Sequence, residues 1–103
     1  MILNVVERLI VLSVLPKEGD YATLKILREL RMNLGFSEDE FKQWGIVNDP
    51  KNNSISWEES GETEIPIGEK ATDIIVGALK SLDKNGKLEE QMFDIYERFI
   101  PTT

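Results

Sequence analysis

The chain has 103 residues, of which 41% are hydrophobic and 30% are charged. This length and composition are typical of one compact unit, so we expect a single globular domain over residues 1–103. Cys and His are both absent, which excludes disulfides, thiol or imidazole catalysis and Cys/His metal sites. A formal net charge of −7 disfavours general attraction to nucleic acid or anionic lipid, since both are themselves negatively charged.

The first fifteen residues, MILNVVERLIVLSVL, are strongly apolar. From Ile2 onward the apolar residues recur at helical spacing, which predicts a mostly buried first helix that ends before Pro16. No basic segment precedes the run, and Glu7 and Arg8 interrupt it. Because roughly 20 apolar residues are needed to cross a bilayer, we expect neither a signal peptide nor a membrane anchor. The expected location is the cytoplasm.

Capping residues predict the next two helices. Asp20 has the residue type of an N-cap, and Gly35 is suited to end the helix that Asp20 begins. Ser37 and Glu40 have the spacing of a capping box. They predict a short third helix that ends near Trp44.

The periodicity changes in the segment SISWEESGETEIPI, residues 54–67. Apolar and polar residues alternate on both sides of a Ser60–Gly61 turn, which predicts an antiparallel β-hairpin. The alternating residues are Ile55 and Trp57 before the turn, and Thr63, Ile65 and Ile67 after it. A strand at Ile46 and Val47, joined through NDPKNN, would make the sheet three-stranded. Pro66 predicts an edge in the last strand, because proline cannot donate to a ladder.

Two more amphipathic helices are predicted, EKATDIIVGALKSL after Gly68 and LEEQMFDIYERFI before Pro101. The predicted fold is therefore α+β and mainly helical, with about five helices and a small antiparallel sheet between helices three and four. Three helices followed by a hairpin is also the order of the winged-helix fold. The recognition helix would then be SEDEFKQ, whose carboxylates repel phosphate, so direct binding of duplex DNA is disfavoured.

The segment SLDKNGKLEE resembles the start of a calcium-binding loop. Counting from Asp83 places Lys87 at the fifth ligand position and Leu88 where the loop needs glycine. Aligning on Gly86 instead places Met92 where the bidentate carboxylate belongs. Both alignments fail, so we expect no metal site, and Gly86 is predicted to end the fourth helix in a left-handed conformation.

One face of the second predicted helix carries Tyr21, Lys25, Arg28 and Met32, at spacings of four, three and four. Tyr, Met and Arg side by side are typical of protein interfaces. We refer to these four residues as the α2 stripe, and they are the candidate surface for binding a protein partner. The alternative is that Tyr21 and Met32 pack beneath the hairpin as part of the core.

Charge is unevenly distributed along the chain. Residues 1–36 contain four acids and five bases, and residues 37–103 contain fifteen acids and seven bases, so the net charges are +1 and −8. The candidate acidic patch comprises Glu38, Asp39, Glu40, Glu58, Glu59, Glu62 and Glu64. This patch would fit a basic groove on a partner by imitating nucleic-acid charge, or it is simply a solvated surface.

Catalytic patterns are missing from the sequence. Pairs such as Glu89 and Glu90 occur, but nothing around them predicts a pocket that would perturb their pKa values. The glycines lie singly and form no phosphate-binding loop. We therefore expect a non-enzymatic protein that binds no cofactor.

Two stretches, LPKEGDYATLKILRELR and IGEKATDIIVGALKSLDKNGKLEEQMFDIYERF, resemble segments of small uncharacterised proteins of tailed bacteriophages and prophages. The resemblance covers roughly half of the chain and implies no catalytic residue. It implies a protein made in the cytoplasm of an infected bacterial cell. The first hypothesis is a protein-interaction module that acts in phage assembly or host takeover and binds through the α2 stripe or through the hairpin.

Two other hypotheses stay open. One is an acidic inhibitor that imitates nucleic acid and blocks a host nucleic-acid enzyme or defence protein. The other is a winged-helix-like regulator that contacts DNA as a dimer through bases of the first two helices. A homodimer formed through the edge near Pro66 or through the α2 stripe is also compatible with the sequence.

Overall fold

The computed structural model of the protein describes residues 1–52 and 54–100. It is a mixed α+β structure with 58% helix, so the mainly helical fold predicted from the sequence is confirmed. Two residues named in the predictions lie outside these ranges. They are Asn53, in the predicted strand connection, and Pro101, at the predicted end of the last helix. The elements in chain order are β1 (Ile2–Leu3), α1 (Val5–Val14), α2 (Tyr21–Leu34), α3 (Glu38–Trp44), β2 (Val47–Asp49), β3 (Ser54–Ser56), β4 (Thr63–Glu64), α4 (Glu69–Lys84), a 3-10 turn (Glu90–Met92) and α5 (Phe93–Phe99).

Most helix ends lie where the capping residues predict them. The Asp20 carboxylate accepts a backbone N–H of the first turn of α2 at 2.8 Å. Ser37 and Glu40 form the predicted reciprocal capping box at the start of α3. Gly45 and Gly86 follow α3 and α4 with left-handed φ angles of 61° and 65°, which glycine adopts without steric cost.

Both terminal helices are shorter than predicted. Asn4 caps α1, with its side-chain oxygen 2.8 Å from the N–H of Glu7, so the helix begins at Val5 and the prediction that Ile2 is helical is wrong. The segment before this cap is free to form β1, which pairs antiparallel with β4. At the other end, the 3-10 turn precedes α5, which begins at Phe93 rather than near Leu88.

The strand pairing also differs from the prediction. The expected hairpin between residues 55–57 and 63–67 is wrong, because β3 pairs with β2 and β4 pairs with β1. The expected strand at Ile46 and Val47 is confirmed in part as β2, in which Val47 lies opposite Ser56. The chain turns between β2 and β3 at Asp49, whose carboxylate accepts the backbone N–H of Lys51 at 3.1 Å.

A small antiparallel hairpin between α3 and α4 is therefore confirmed, but β2 and β3 form it, and β1 and β4 form a second, separate two-stranded sheet. β4 ends at Glu64, so the predicted strand edge at Pro66 is also wrong. The β2–β3 hairpin directly follows α3, so the succession of three helices and a hairpin is retained, although the strands differ from those predicted.

The core consists of two clusters that share α1. The larger cluster lies among α1, α2, α4 and α5, and its fully or nearly fully buried members are Leu3, Ile10, Val11, Val14, Leu15, Leu27, Leu30, Leu34, Ile65, Ala71, Ile75, Leu79, Met92, Ile95 and Phe99. The smaller cluster contains Val5, Trp44 and Ile46 and joins α1 to the end of α3. In the described part of the chain, no helix is both long enough and apolar enough to cross a bilayer.

The smaller cluster is closed by a backbone contact with glycine. Gly61 lies so close to the indole ring of Trp44 that a Cβ at this position would overlap the ring atoms. Gly61 is therefore required here by close packing, and the loop between β3 and β4 is held against α3.

We expect Gly61→Ala to lower the free energy of unfolding by about 1–3 kcal/mol, because the added methyl group displaces Trp44 or the loop. Urea denaturation followed by tryptophan fluorescence measures this change. Gly77→Ala is the control: the position is exposed within α4, a Cβ there meets no other atom, and alanine favours a helix by about 0.5–1 kcal/mol. Unchanged stability in Gly61→Ala would show that this contact does not hold the loop.

Candidate functional site

The α2 stripe lies on the outer face of α2. The side chains of Tyr21 and Met32 are 82% and 75% exposed, and Lys25 and Arg28 are also exposed. The alternative in which Tyr21 and Met32 form core beneath the hairpin is therefore wrong. All four predicted side chains are accessible on one helix.

The exposure of the stripe follows from the packing of the opposite face of α2. Leu27, Leu30 and Leu34 are buried in the larger core cluster, and they recur at the spacing of one helix face. This arrangement directs the stripe to solvent. Leu24, 39% exposed, adds further apolar surface beside it.

The two cations of the stripe form no ion pair. Within residues 1–52 and 54–100, neither Lys25 nor Arg28 lies within salt-bridge distance of a carboxylate. Arg31 on the same helix differs, because its guanidinium donates to the carbonyl oxygen of Pro16 at 2.7 Å. The stripe thus combines two large apolar side chains with two exposed positive charges.

In the sequence Arg8 is only an interruption of an apolar run, but in the structure its side chain donates four hydrogen bonds. Its side chain is 1% exposed and lies with its guanidinium carbon 4.2 Å from the centre of the Phe36 ring. Its Nε donates to the carbonyl oxygen of Leu34 at 3.1 Å, and its Nη2 donates to that of Gly35. Both terminal nitrogens also donate to the Glu40 carboxylate, at 2.7 and 3.2 Å. The Arg8 network, defined by these five residues, joins the end of α2 to α3.

Glu40 was predicted to belong to the exposed acidic patch, and this prediction is wrong. Its side chain is only 15% exposed and faces Arg8. It also accepts hydrogen bonds from the Ser37 N–H at 2.8 Å and from the Thr63 hydroxyl at 2.9 Å. Burial raises the pKa of Glu40, but these hydrogen bonds and the Arg8 charge outweigh burial and lower the pKa from 4.5 to about 2. Glu40 is therefore a structural group.

The other six acids of the patch are exposed and lie at different places around α3. Glu38 and Asp39 lie in the first turn of α3. The backbone N–H groups of Glu58 and Glu59 donate to the carbonyl oxygen of Trp44 at 2.9 and 3.1 Å, which places them at the opposite end of the same helix. α3 therefore separates two pairs of acids by about 10 Å.

The remaining acids, Glu62 and Glu64, line a groove of about 630 Å³ between the end of α2, α3 and β4. Met32 of the α2 stripe, Gln43 and Trp44 also line this groove. One wall is less charged than the sequence indicates, because Glu64 accepts a hydrogen bond from the N-terminal ammonium at 2.9 Å. The structure thus brings one end of the stripe next to part of the acidic patch, which sequence spacing did not predict.

Among the residues that the structure describes, no group of three or more Asp or Glu side chains is arranged to hold a metal ion. The segment that resembles a calcium loop instead ends α4, and the Asp83 carboxylate accepts a hydrogen bond from the Tyr96 hydroxyl at 3.3 Å.

No protein-family model, curated protein or solved structure matches this chain. Function is therefore inferred from the two surfaces above. They differ in composition, because the α2 stripe combines apolar groups with unpaired cations while the acidic patch is dispersed around α3.

We expect Glu40→Gln to lower the free energy of unfolding at pH 7 by about 3 kcal/mol, because glutamine can retain the capping box but leaves the Arg8 charge uncompensated. The stabilisation by ionised Glu40 is fully present above about pH 4.5 and is lost as the pH falls towards about 2. The stability difference between the wild type and the variant should therefore shrink across that interval. Urea denaturation at several pH values measures both effects.

Glu62→Gln serves as the control, because Glu62 is an exposed carboxylate of the same groove. Its effect should stay within about 0.5 kcal/mol. Parallel pH profiles for the wild type and Glu40→Gln would contradict a role for the ionised carboxylate in the Arg8 network.

Proposed function

We propose that this protein is a small, acidic, non-enzymatic protein-interaction module that binds its partner through the α2 stripe and acts in phage assembly or host takeover. The observation that carries the proposal is the exposure of Tyr21 and Met32, 82% and 75%, beside two exposed cations that form no ion pair with the described residues. Aromatic, Met and Arg side chains are enriched where proteins bind each other. The phage setting rests on the resemblance of the two helical segments.

The stripe is presented on a helix that is fixed at both ends. The Asp20 cap holds the first turn of α2, and Arg8 binds the carbonyl oxygens of Leu34 and Gly35 at the last turn. The backbone of the stripe is therefore already ordered before binding. A partner that docks here does not have to supply the free energy of forming the helix.

The acidic inhibitor is a second candidate, favoured by the exposed acids of residues 37–103. Glu38 and Asp39 at one end of α3, with Glu58 and Glu59 at the other, could bind two basic positions of a host enzyme.

The winged-helix-like regulator is a third candidate, favoured by the β2–β3 hairpin that follows α3. In that case the bases of the first two helices would bind DNA, since the first turn of α3 is acidic.

A photo-crosslinking amino acid at position 32 should capture a defined protein when the chain is expressed in phage-infected bacteria. Tyr21→Asp in the same chain should reduce the yield about tenfold or more, because an unpaired carboxylate is costly to bury in an apolar contact. Mass spectrometry of the covalent product identifies the partner. Virion or assembly proteins are the expected class.

The same crosslinker at Lys80, exposed on α4, is the matched control and should not capture that protein. Placing it at Glu59 tests the inhibitor, for which a host nuclease, polymerase or defence protein should be captured there and not at position 32. Capture at position 32 that is insensitive to Tyr21→Asp would contradict binding through the α2 stripe.

A further inference from the structure

We propose that the α2 stripe binds an acidic amphipathic helix of the partner, with carboxylates at the level of Lys25 and Arg28 and apolar side chains against Tyr21 and Met32. This inference rests on the proposed function and specifies the chemistry of the partner. It follows from the charge, the length and the surroundings of the stripe.

Charge complementarity favours an acidic partner. Lys25 and Arg28 are exposed and form no ion pair within the described ranges, although the whole chain carries a net charge of −7. Residues 17–34, which comprise α2 and the segment just before it, hold four bases and three acids, including the exposed Glu29, and carry a net charge of +1, whereas the rest of the chain carries −8. An acidic partner therefore meets the least electrostatic repulsion at the face of α2. This difference in repulsion steers the partner to that face when the two proteins meet.

The shape of the stripe favours a helix as the partner. Tyr21 and Met32 are eleven residues apart on one straight helix, which corresponds to about 16 Å along its axis. The spacings of four, three and four produce a ridge that fits into the groove between side-chain rows of a second helix. About three turns of an amphipathic helix would cover both apolar ends and both cations.

The surroundings of Met32 restrict where the carboxylates of the partner lie. The groove at this end of the stripe is lined by Glu62 and Glu64. A partner carboxylate placed beyond Met32 would meet the like charge of Glu62, whereas Glu64 is paired with the N-terminal ammonium. The carboxylates are therefore expected between the two apolar ends, opposite Lys25 and Arg28.

A synthetic peptide of about 15 residues, held helical by a side-chain staple on its outer face, tests this arrangement. Its inner face carries two Leu eleven positions apart, with Glu at the intervening fourth and seventh positions. A second peptide has Lys in place of both Glu. Fluorescence anisotropy should show saturable binding of the Glu peptide at low salt, at least tenfold tighter than that of the Lys peptide.

Matched protein variants separate local contacts from net charge. Lys25→Glu with Arg28→Glu should weaken binding of the Glu peptide at least tenfold. Lys80→Glu with Lys84→Glu changes the net charge equally on exposed positions of α4 and should weaken binding less than threefold. Tyr21→Ala with Met32→Ala should also weaken binding about tenfold, because the apolar anchors are removed. Circular dichroism verifies that every variant is folded.

Several outcomes would overturn the acidic helix as partner. These are equal binding of both peptides, no saturable binding, equal losses in the two charge-reversed variants, or a homodimer that the stripe variants dissociate. Retarded migration of duplex DNA that depends on Lys25 and Arg28 would reassign the cations to phosphate. A protein crosslinked at position 32 through a neutral or basic surface would overturn the acidic helix while leaving the proposed function intact.

Discussion

The fold depends on the burial of one charge. The Arg8 guanidinium is almost completely excluded from solvent and donates to two backbone carbonyl oxygens at the end of α2 and to the carboxylate of Glu40 on α3. A buried cation without partners would cost several kcal/mol, so α2 and α3 are restricted to the positions that satisfy it. Thr63 donates to the same carboxylate, which links β4, and with it β1, to this network. One interaction thus determines how three helices and the small β1–β4 sheet are arranged.

This arrangement explains why the two candidate surfaces remain distinct. Arg8 draws Glu40 inward, so the acids at the ends of α3 are separated by a carboxylate that is neutralised and partly buried. The contact between Gly61 and Trp44 then holds the following acidic loop against α3. Meanwhile Leu27 and its neighbours bind α2 to the larger cluster, and the side chains of the α2 stripe on its opposite face are exposed. The α2 stripe is exposed because the core is completed without it.

The elements predicted correctly are those with local determinants. The caps at Asp20 and Ser37 and the glycine after α4 act within a few residues, and the apolar spacing of α2 and α4 lies within each helix. The pairing of β1 with β4 joins residues about sixty positions apart, and neither strand exceeds two residues, so alternation gave no usable signal. Glu40 was assigned to the surface because its partner lies 32 residues earlier. Arg8, a single arginine within a run of apolar residues, was an indication that an acidic residue is buried beside it, since a buried arginine requires an acidic partner.

The α2 stripe could be located from sequence, but its exposure depended on the position of the hairpin. The predicted hairpin would have supplied a layer over α2, whereas the observed one continues from α3 and leaves that face of α2 open. The position of the hairpin also determines the surroundings of Lys25 and Arg28. Both are exposed on this open face, and within residues 1–52 and 54–100 neither lies within salt-bridge distance of a carboxylate. In the proposed interaction module, these two cations would discriminate among partners by charge as well as by shape, because a wrong partner leaves them desolvated without compensation. The proposed acidic partner would then be selected through one helix face, while the remaining surface of this chain, which has a net charge of −7, repels it.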